Sequence, residues 1–152
     1  MTYAKNTTVA PEKSQAEIKR TLSKYGATAF AFAESKDRAM VRFEMNARHV
    51  KFMLPIPILQ SPAPSWNQKK GLFYSQDRLD QELRRRWRCL LLAIKSKLEC
   101  VETGITTFEQ EFMAHIVLPD GSTVGEFMAP QIEISYRDGK MPSLLGYGGT
   151  KP

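Results

Sequence analysis

The spacing of apolar side chains along the chain changes from helical to extended and back to helical. Between Val9 and Gly26, apolar residues recur at the three- and four-residue intervals of one helix face. Pro11 suits the first turn of a helix, and Ser14 with Glu17 has the spacing of a capping box. Gly26 can end the helix. The sequence therefore predicts a first helix over these residues.

Three short runs after this helix alternate apolar residues with polar or small ones, which is the period of a strand. The apolar positions are Phe30, Phe32, Val41, Phe43, Met45, Val50, Phe52 and Leu54. Turn-forming residues separate the runs at 35–37 and 46–47. The sequence therefore predicts a three-stranded antiparallel meander, with one apolar face and one face that carries Arg42, Glu44 and Lys51.

A long amphipathic helix is predicted between Ser75 and Glu102, because apolar residues recur there at helical intervals over about seven turns. Ser75 can cap its start, and Gly104 can end it. Trp87 falls on the apolar stripe, so we expect it in the core. We expect this helix to pack on the sheet, which makes the fold class α+β.

A second stripe on the long helix carries four small side chains, Cys89, Ala93, Ser96 and Cys100. Small side chains let another backbone approach closely, so this face predicts contact with another helix or a homodimer. The two cysteines are about 16 Å apart on a helix, too far for an intramolecular disulfide. We expect free thiols, with an intermolecular pair across a symmetric dimer as the alternative.

Two shorter helical segments are predicted after the long helix. Thr106 or Thr107 can begin the first, because each has a Glu or Gln three residues later. Residues 119–121, Pro-Asp-Gly, form a turn. Ser122 or Thr123 can then cap the second segment.

The end of the chain is less regular. Pro130 is expected to kink or restart the last helical segment. Residues 131–136 alternate apolar and polar side chains, so both a helix and a strand stay open there. Residues 146–152 are expected to form a flexible tail. The length of 152 residues predicts a single domain, with an ordered core over residues 12–145.

Residues 55–74 interrupt the periodic pattern with four prolines and no regular spacing. A connection of this length is unusual in a compact domain and predicts a mobile or partner-ordered loop. Pro-rich segments with an aromatic residue often dock on other proteins. Pro62, Pro64 and Trp66 are therefore candidate interaction residues.

The formal net charge of +6 is unevenly distributed. Residues 1–67 and residues 68–100 carry +5 each, and residues 101–152 carry −4. A basic surface attracts polyanions, so the first two thirds of the chain favour binding to nucleic acid. The alternative is that the acidic last third covers the basic surface within the molecule.

Cations at helical spacing can follow a run of phosphates, which makes the long helix the first candidate interface. The polar face of the meander and the Pro-rich loop add further cations, those of the loop near aromatic residues. The candidate nucleic-acid-binding residues are Arg42, Lys51, Lys69, Lys70, Arg84, Arg85, Arg88 and Lys95. The alternative is a solvated helix face with intrahelical ion pairs to Asp80, Glu82, Glu99 and Glu102.

No motif in the sequence indicates an enzyme. Glu111 and His115 share a helix face but lack a third ligand at a recognisable spacing, so no metal site is predicted. Residues 148–151, Gly-Gly-Thr-Lys, lack the strand and helix that flank a phosphate-binding loop. We therefore expect no catalytic residue, cofactor or metal. No apolar run reaches the roughly 20 residues of a membrane span and no signal peptide is recognisable, so we expect a cytoplasmic protein.

Two stretches of the chain carry a resemblance to known proteins: YGATAFAFAESKDRAMVRFEMNARHVKFMLPIP and LRRRWRCLLLAIKSKLECVETGITTFEQEFMAHIVLPDGSTVGEFMAPQI. Over residues 16–145, the chain resembles short uncharacterised proteins encoded by tailed bacteriophages and prophages. The resemblance implies a phage origin and a bacterial host cell, and it implies no activity. A meander followed by a long helix also resembles the core of single-strand annealing proteins, as an analogy of fold alone.

Together these features predict a phage accessory protein that binds single- or double-stranded DNA without catalysis. The alternative is an interaction module that inhibits or redirects a host protein, in host takeover or anti-defence. That module would use the Pro-rich loop or the acidic last third.

Overall fold

The computed structural model describes residues 3–56 and 76–141. In chain order the elements are α1 (Pro11–Lys24), β1 (Ala29–Glu34), β2 (Arg38–Met45), β3 (Arg48–Pro55), α2 (Gln76–Glu102), α3 (Phe108–Phe112), a 3₁₀ turn (Met113–His115) and α4 (Val124–Asp138). The α+β class and the element order confirm the sequence prediction. The predicted Pro-rich loop begins too early, because Pro55 is the last residue of β3, and its residues 57–74 and the C-terminal tail lie outside the described residues.

Helix α1 begins without the predicted capping box. Its N-cap residue is Ala10, which has no side-chain cap, and Pro11 occupies the first helical position. Ser14 lies one turn inside the helix with its side chain fully buried, so the prediction that Ser14 and Glu17 form the box was wrong. Proline presets the backbone angle of a first helical residue, and this lets the helix begin earlier.

The three strands form an antiparallel sheet in the order β1-β2-β3, as predicted. Asn46 and Ala47 connect β2 to β3 with left-handed φ values of 52° and 56°. A two-residue turn of this hand matches the natural twist of a hairpin. In the resulting register, Val41 lies opposite Phe52, and Arg42 lies opposite Lys51 on the other face.

The inner face of the sheet, which carries Val41 and Phe43, forms the core with the helices. Helix α2 supplies Trp87 and Ile94 to this core, as predicted for its apolar stripe. Trp87 is 3% exposed, which confirms its expected place. Helix α1 adds Ile18, so the helices form one layer against the inner face.

The C-terminal segments resolve the alternatives that the sequence leaves open. Thr107 caps α3 and Thr123 caps α4, each in a complete capping box. Residues 131–136 are helical, and α4 runs continuously through Pro130, so of the two alternatives for this proline the helix does not restart there. The complete capping box at Thr123 starts a helix that includes these residues.

Candidate nucleic-acid interface

Arg84 on α2 is held by contacts within the protein. Its Nη2 donates to Gln81 Oε1 at 2.6 Å. Gln81 Nε2 in turn donates to the carbonyl oxygens of Lys5 and Thr7, at 3.0 and 2.9 Å. Arg84 therefore holds the Gln81 amide that ties the segment before α1 to α2, whereas its own buried Nε makes no hydrogen bond with the described residues.

Glu82 holds the next two arginines of α2. Arg85 Nη1 lies 3.2 Å from Glu82 Oε2, and Arg86 Nε lies 3.1 Å from Glu82 Oε1. Arg86 Nη1 also donates to the carbonyl oxygen of Pro55 at 2.6 Å, which ties α2 to the end of β3. These contacts favour the solvated, ion-paired alternative for this part of the helix.

Two of the candidate cations on α2, Arg88 and Lys95, contact the same carboxylate of α1. Arg88 Nη1 lies 3.0 Å from Glu17 Oε2, and both side chains are mostly buried, at 24% and 19% exposed. Lys95 Nζ lies 3.9 Å from the same oxygen, and its side chain is 48% exposed. Lys95 is therefore more exposed to solvent than Arg84 and Arg88.

A groove of about 410 Å³ lies between α1 and α2 beside Lys95. Arg20 and Lys24 on α1 line this groove and were missed by the sequence reasoning, although their four-residue spacing is a signal that they share one helix face. Tyr25 also lines it and donates a hydrogen bond to Glu99, which raises the pKa of Tyr25. The groove therefore mixes cations with carboxylates.

Arg42 and Lys51 occupy the outer face of the sheet. They are directly opposite each other on neighbouring strands, where side chains of a pair lie about 5 Å apart at Cβ. Lys51 Nζ donates to the Gly121 carbonyl oxygen at 3.0 Å. Within residues 3–56 and 76–141, the side chain of Arg42 makes no hydrogen bond or ion pair. Ala31 and Met53 on the same face are exposed.

The structure does not bring the predicted cations together. Arg42 and Lys51 project from the outer face of the sheet, whereas α2 packs on the inner face. The predicted residues Arg84, Arg85, Arg88 and Lys95 therefore form a separate group on the helix layer. The remaining predicted residues, Lys69, Lys70, Pro62, Pro64 and Trp66, lie outside the described residues.

The stripe of small residues on α2 is partly open. Ser96 is exposed, and Cys89, Ala93 and Cys100 are half-buried. Both cysteines are free. Cys89 Sγ lies 3.7 Å from the carbonyl oxygen of Tyr3. The homodimer predicted through this face stays a prediction.

His115 belongs to the packing between β3 and the 3₁₀ turn. Its ring stacks on Phe52 with centroids 4.0 Å apart. Burial lowers the pKa of His115, the nearby charge of Lys97 lowers it further, and a hydrogen bond with the Lys51 backbone opposes both. Glu111, which was expected to share a helix face with His115, lies in α3 and pairs with Lys97 at 3.7 Å. Among the described residues, no three His, Cys, Asp or Glu side chains are grouped to hold a metal ion.

The acidic last third touches the basic part of the molecule at the Lys97–Glu111 ion pair. Its turn at Gly121 also accepts the hydrogen bond from Lys51. Arg42 has no such contact with the described residues, so the outer face keeps a cation that the acidic segment does not cover.

No helix within the described part of the chain is both long and apolar enough to cross a membrane. Comparison of the chain with protein-family models, with curated proteins and with solved structures finds no match.

Proposed function

We propose that this chain is a phage-encoded accessory protein that binds nucleic acid without catalysis, through the outer face of its sheet. The observation that carries the proposal is the pairing of Arg42 with Lys51 across two strands of an open face. Like charges directly opposite each other in a sheet are destabilising. A phosphate between them relieves that repulsion. The resemblance of residues 16–145 to phage proteins supports a role in the cytoplasm of a bacterial host.

The side chains around Arg42 and Lys51 leave room for the backbone and a base of a nucleic acid. Ala31 lies opposite Arg42 on β1, so a small side chain flanks the cation and leaves room for a phosphodiester backbone. Met40 and Met53 form the next row of the same face and offer apolar surface to a base. Glu44 lies two residues from Arg42 on this face, opposite His49, and limits the basic area to the middle of the sheet.

The cations of α2 have a different part in this proposal. Arg84, Arg85 and Arg88 hold the helix layer together through Gln81, Glu82 and Glu17. Lys95 is the exception, because its distant contact with Glu17 leaves it free to add to long-range attraction. The central phosphate contacts therefore come from the sheet.

A salt titration of binding to labelled single- and double-stranded oligonucleotides tests the proposal. We expect Arg42→Glu to weaken binding at least about tenfold and to reduce the salt dependence by about one phosphate contact. Lys140→Glu is the matched control, since it makes the same charge change at an exposed position beyond α4. An absence of binding at low salt, or equal losses in the two variants, would contradict the proposal.

The exposed apolar face of α4 favours a second candidate function, an interaction module for a host protein. Ile132 and Tyr136 are 52% and 88% exposed, and they line an apolar groove of about 530 Å³. Exposed patches of this kind mark protein contacts. Affinity capture from host lysate, repeated after nuclease treatment, separates the two functions. A partner kept after nuclease, lost in Ile132→Glu and retained in Arg137→Gln, would favour this candidate.

A further inference from the structure

The two edges of the sheet differ in how they are covered. At the outer edge of β3, Val117 N–H donates to the His49 carbonyl oxygen at 2.8 Å, and Ile116 bridges to Val50. Strand β1 forms the other edge and pairs with β2 alone among the described residues. A row of backbone groups on β1 is therefore open to a partner.

The hydrogen-bond alternation identifies these open groups. Ser35 N–H donates to the Arg38 carbonyl oxygen at 2.8 Å, which fixes the odd-numbered residues of β1 as those that bond to β2. The N–H and C=O groups of Phe30, Phe32 and Glu34 consequently point away from the sheet. No backbone hydrogen bond from a turn, loop or cap in the described ranges engages these groups.

Apart from Glu34 at its end, strand β1 also lacks the features that protect a solvent-exposed edge. Its first five residues, Ala-Phe-Ala-Phe-Ala, contain no charge and no proline. In natural proteins, lysine, proline or a bulge usually prevents an edge strand from pairing with another chain. Phe32 is 37% exposed even though its ring contacts Trp87 on the inner side. An undefended edge with a half-covered aromatic ring is typical of a strand that pairs with another chain.

We propose that β1 pairs antiparallel with β1 of a second copy of this chain, about a two-fold axis at Phe32. In this register Phe32 faces Phe32 of the second copy, and Phe30 faces Glu34 of the second copy. Each residue with open backbone groups then meets another such residue, and the edge is self-complementary. The two Phe32 rings form a cross-strand aromatic pair.

Charge complementarity selects a second copy over an unrelated strand. Lys19 Nζ on α1 lies 5.9 Å from the centroid of the Phe30 ring. Glu34 is exposed and makes no ion pair with any described residue. The proposed register places Glu34 of the second copy directly opposite Phe30 and therefore beside Lys19. The two-fold axis repeats this contact, so two ion pairs flank the central phenylalanines.

The dimer would extend the surface described under the proposed function. Pairing of the two β1 strands gives a continuous six-stranded sheet, in which the β2 strands of the two copies are about 14 Å apart. Both Arg42–Lys51 pairs then lie on the same face. Dimerisation itself requires no nucleic acid, so its test stands apart from the binding test.

Sedimentation equilibrium without nucleic acid, with circular dichroism to monitor folding, tests the interface. We expect a dimer for the unaltered chain, and we expect Glu34→Lys or Lys19→Glu alone to weaken it at least about tenfold, because each brings like charges together. The double variant Lys19→Glu, Glu34→Lys restores the opposite charges and should return the dissociation constant to within about threefold. Glu133→Lys, exposed on α4, is the control and should leave dimerisation unchanged.

Three outcomes would overturn the proposal. The first is a monomer at every concentration up to about 1 mM. The second is a dimer that tolerates both single charge reversals, which would place its interface elsewhere, as on the small-residue face of α2. The third is a slow, concentration-independent hydrogen exchange of the Phe32 amide, which would show that the same chain covers the edge. An exchange rate that falls as the dimer forms would support the proposal.

Discussion

The body formed by α1, the sheet, α2 and α3 differs from α4 in what covers its apolar side chains. Ile94 on α2 and Phe112 on α3 are fully buried. On α4 no residue is fully buried, and Ile132 and Tyr136 are largely exposed. Both α2 and α4 place apolar residues at helical spacing. Helical spacing therefore identifies an apolar face, whereas the burial of that face depends on whether another element packs there.

Helix α4 rests on the body through its first turn. A Cβ atom at Gly125 would lie 2.9 Å from the Ala114 carbonyl oxygen in the 3₁₀ turn, which is too close for a larger residue without movement. Thr123, the N-cap residue, fixes the direction of the helix from that point. The rest of α4 extends away from this contact with its apolar side chains open. The body therefore provides the stability, and α4 provides a surface.

Replacing a phenylalanine by alanine should destabilise the body much more than α4. The Phe112 ring packs against Phe43 and Phe52 with centroids 5.9 and 6.3 Å away, so Phe112→Ala should lower the free energy of unfolding by about 3–5 kcal/mol. Phe127 on α4 is 44% exposed, and Phe127→Ala should cost less than about 1 kcal/mol. Urea unfolding measures both values. Similar losses in the two variants would show that α4 belongs to the same cooperative core.

A smaller effect compares an ion pair in each region. Glu17→Gln removes the partner of the mostly buried Arg88 and should destabilise the protein by about 1–3 kcal/mol. Asp138→Asn removes the partner of Arg137 on α4, where the side chains are 69% and 47% exposed. That change should stay within about 0.5 kcal/mol. Urea unfolding of the two variants checks the difference, and equal values would contradict the structural part assigned to Glu17.

Local patterns were sufficient for most elements of the fold. Alternation identified the three strands, and Asn46 with Ala47 identified one of the two hairpin turns. Both C-terminal capping boxes follow from a threonine with Glu or Gln three residues later. The same rule was wrong at Ser14, because Pro11 three residues earlier already begins the helix. Two start signals so close together cannot be ranked from spacing alone.

The candidate site was harder to predict because its contacts join distant parts of the chain. Arg88 meets Glu17, 71 positions earlier, and Lys51 meets Gly121, 70 positions later. Intrahelical spacing correctly indicated the pair of Arg85 with Glu82. It gives no information on a carboxylate that another helix brings alongside. The division of the cations between two faces therefore became visible only with the packing of α2 on the sheet.

A small pH dependence of stability is expected at the junction between the body and α4, which is the 3₁₀ turn where His115 stacks on Phe52. Burial, and then Lys97, lower the pKa of His115 below its ordinary value of 6.5. The unfolded chain therefore binds this proton more readily than the folded chain. The resulting stability is present above pH 6.5 and is lost as the pH falls through that value toward the lower folded-state pKa.

Thermal unfolding between about pH 8 and pH 5 measures this dependence. We expect His115→Gln to flatten the decline in stability toward acid pH, whereas His49→Gln, a change at an exposed position on β3, should retain it. The protection factors of the α4 amides, which correct for the intrinsic pH dependence of exchange, should also fall at acid pH in the unaltered chain, because the protonated ring loosens the 3₁₀ turn on which α4 rests. If the stability of the His115→Gln variant declined toward acid pH as steeply as that of the unaltered chain, protonation of His115 would not affect the junction. The difference between the body and α4 would then have to originate in the Gly125 contact alone.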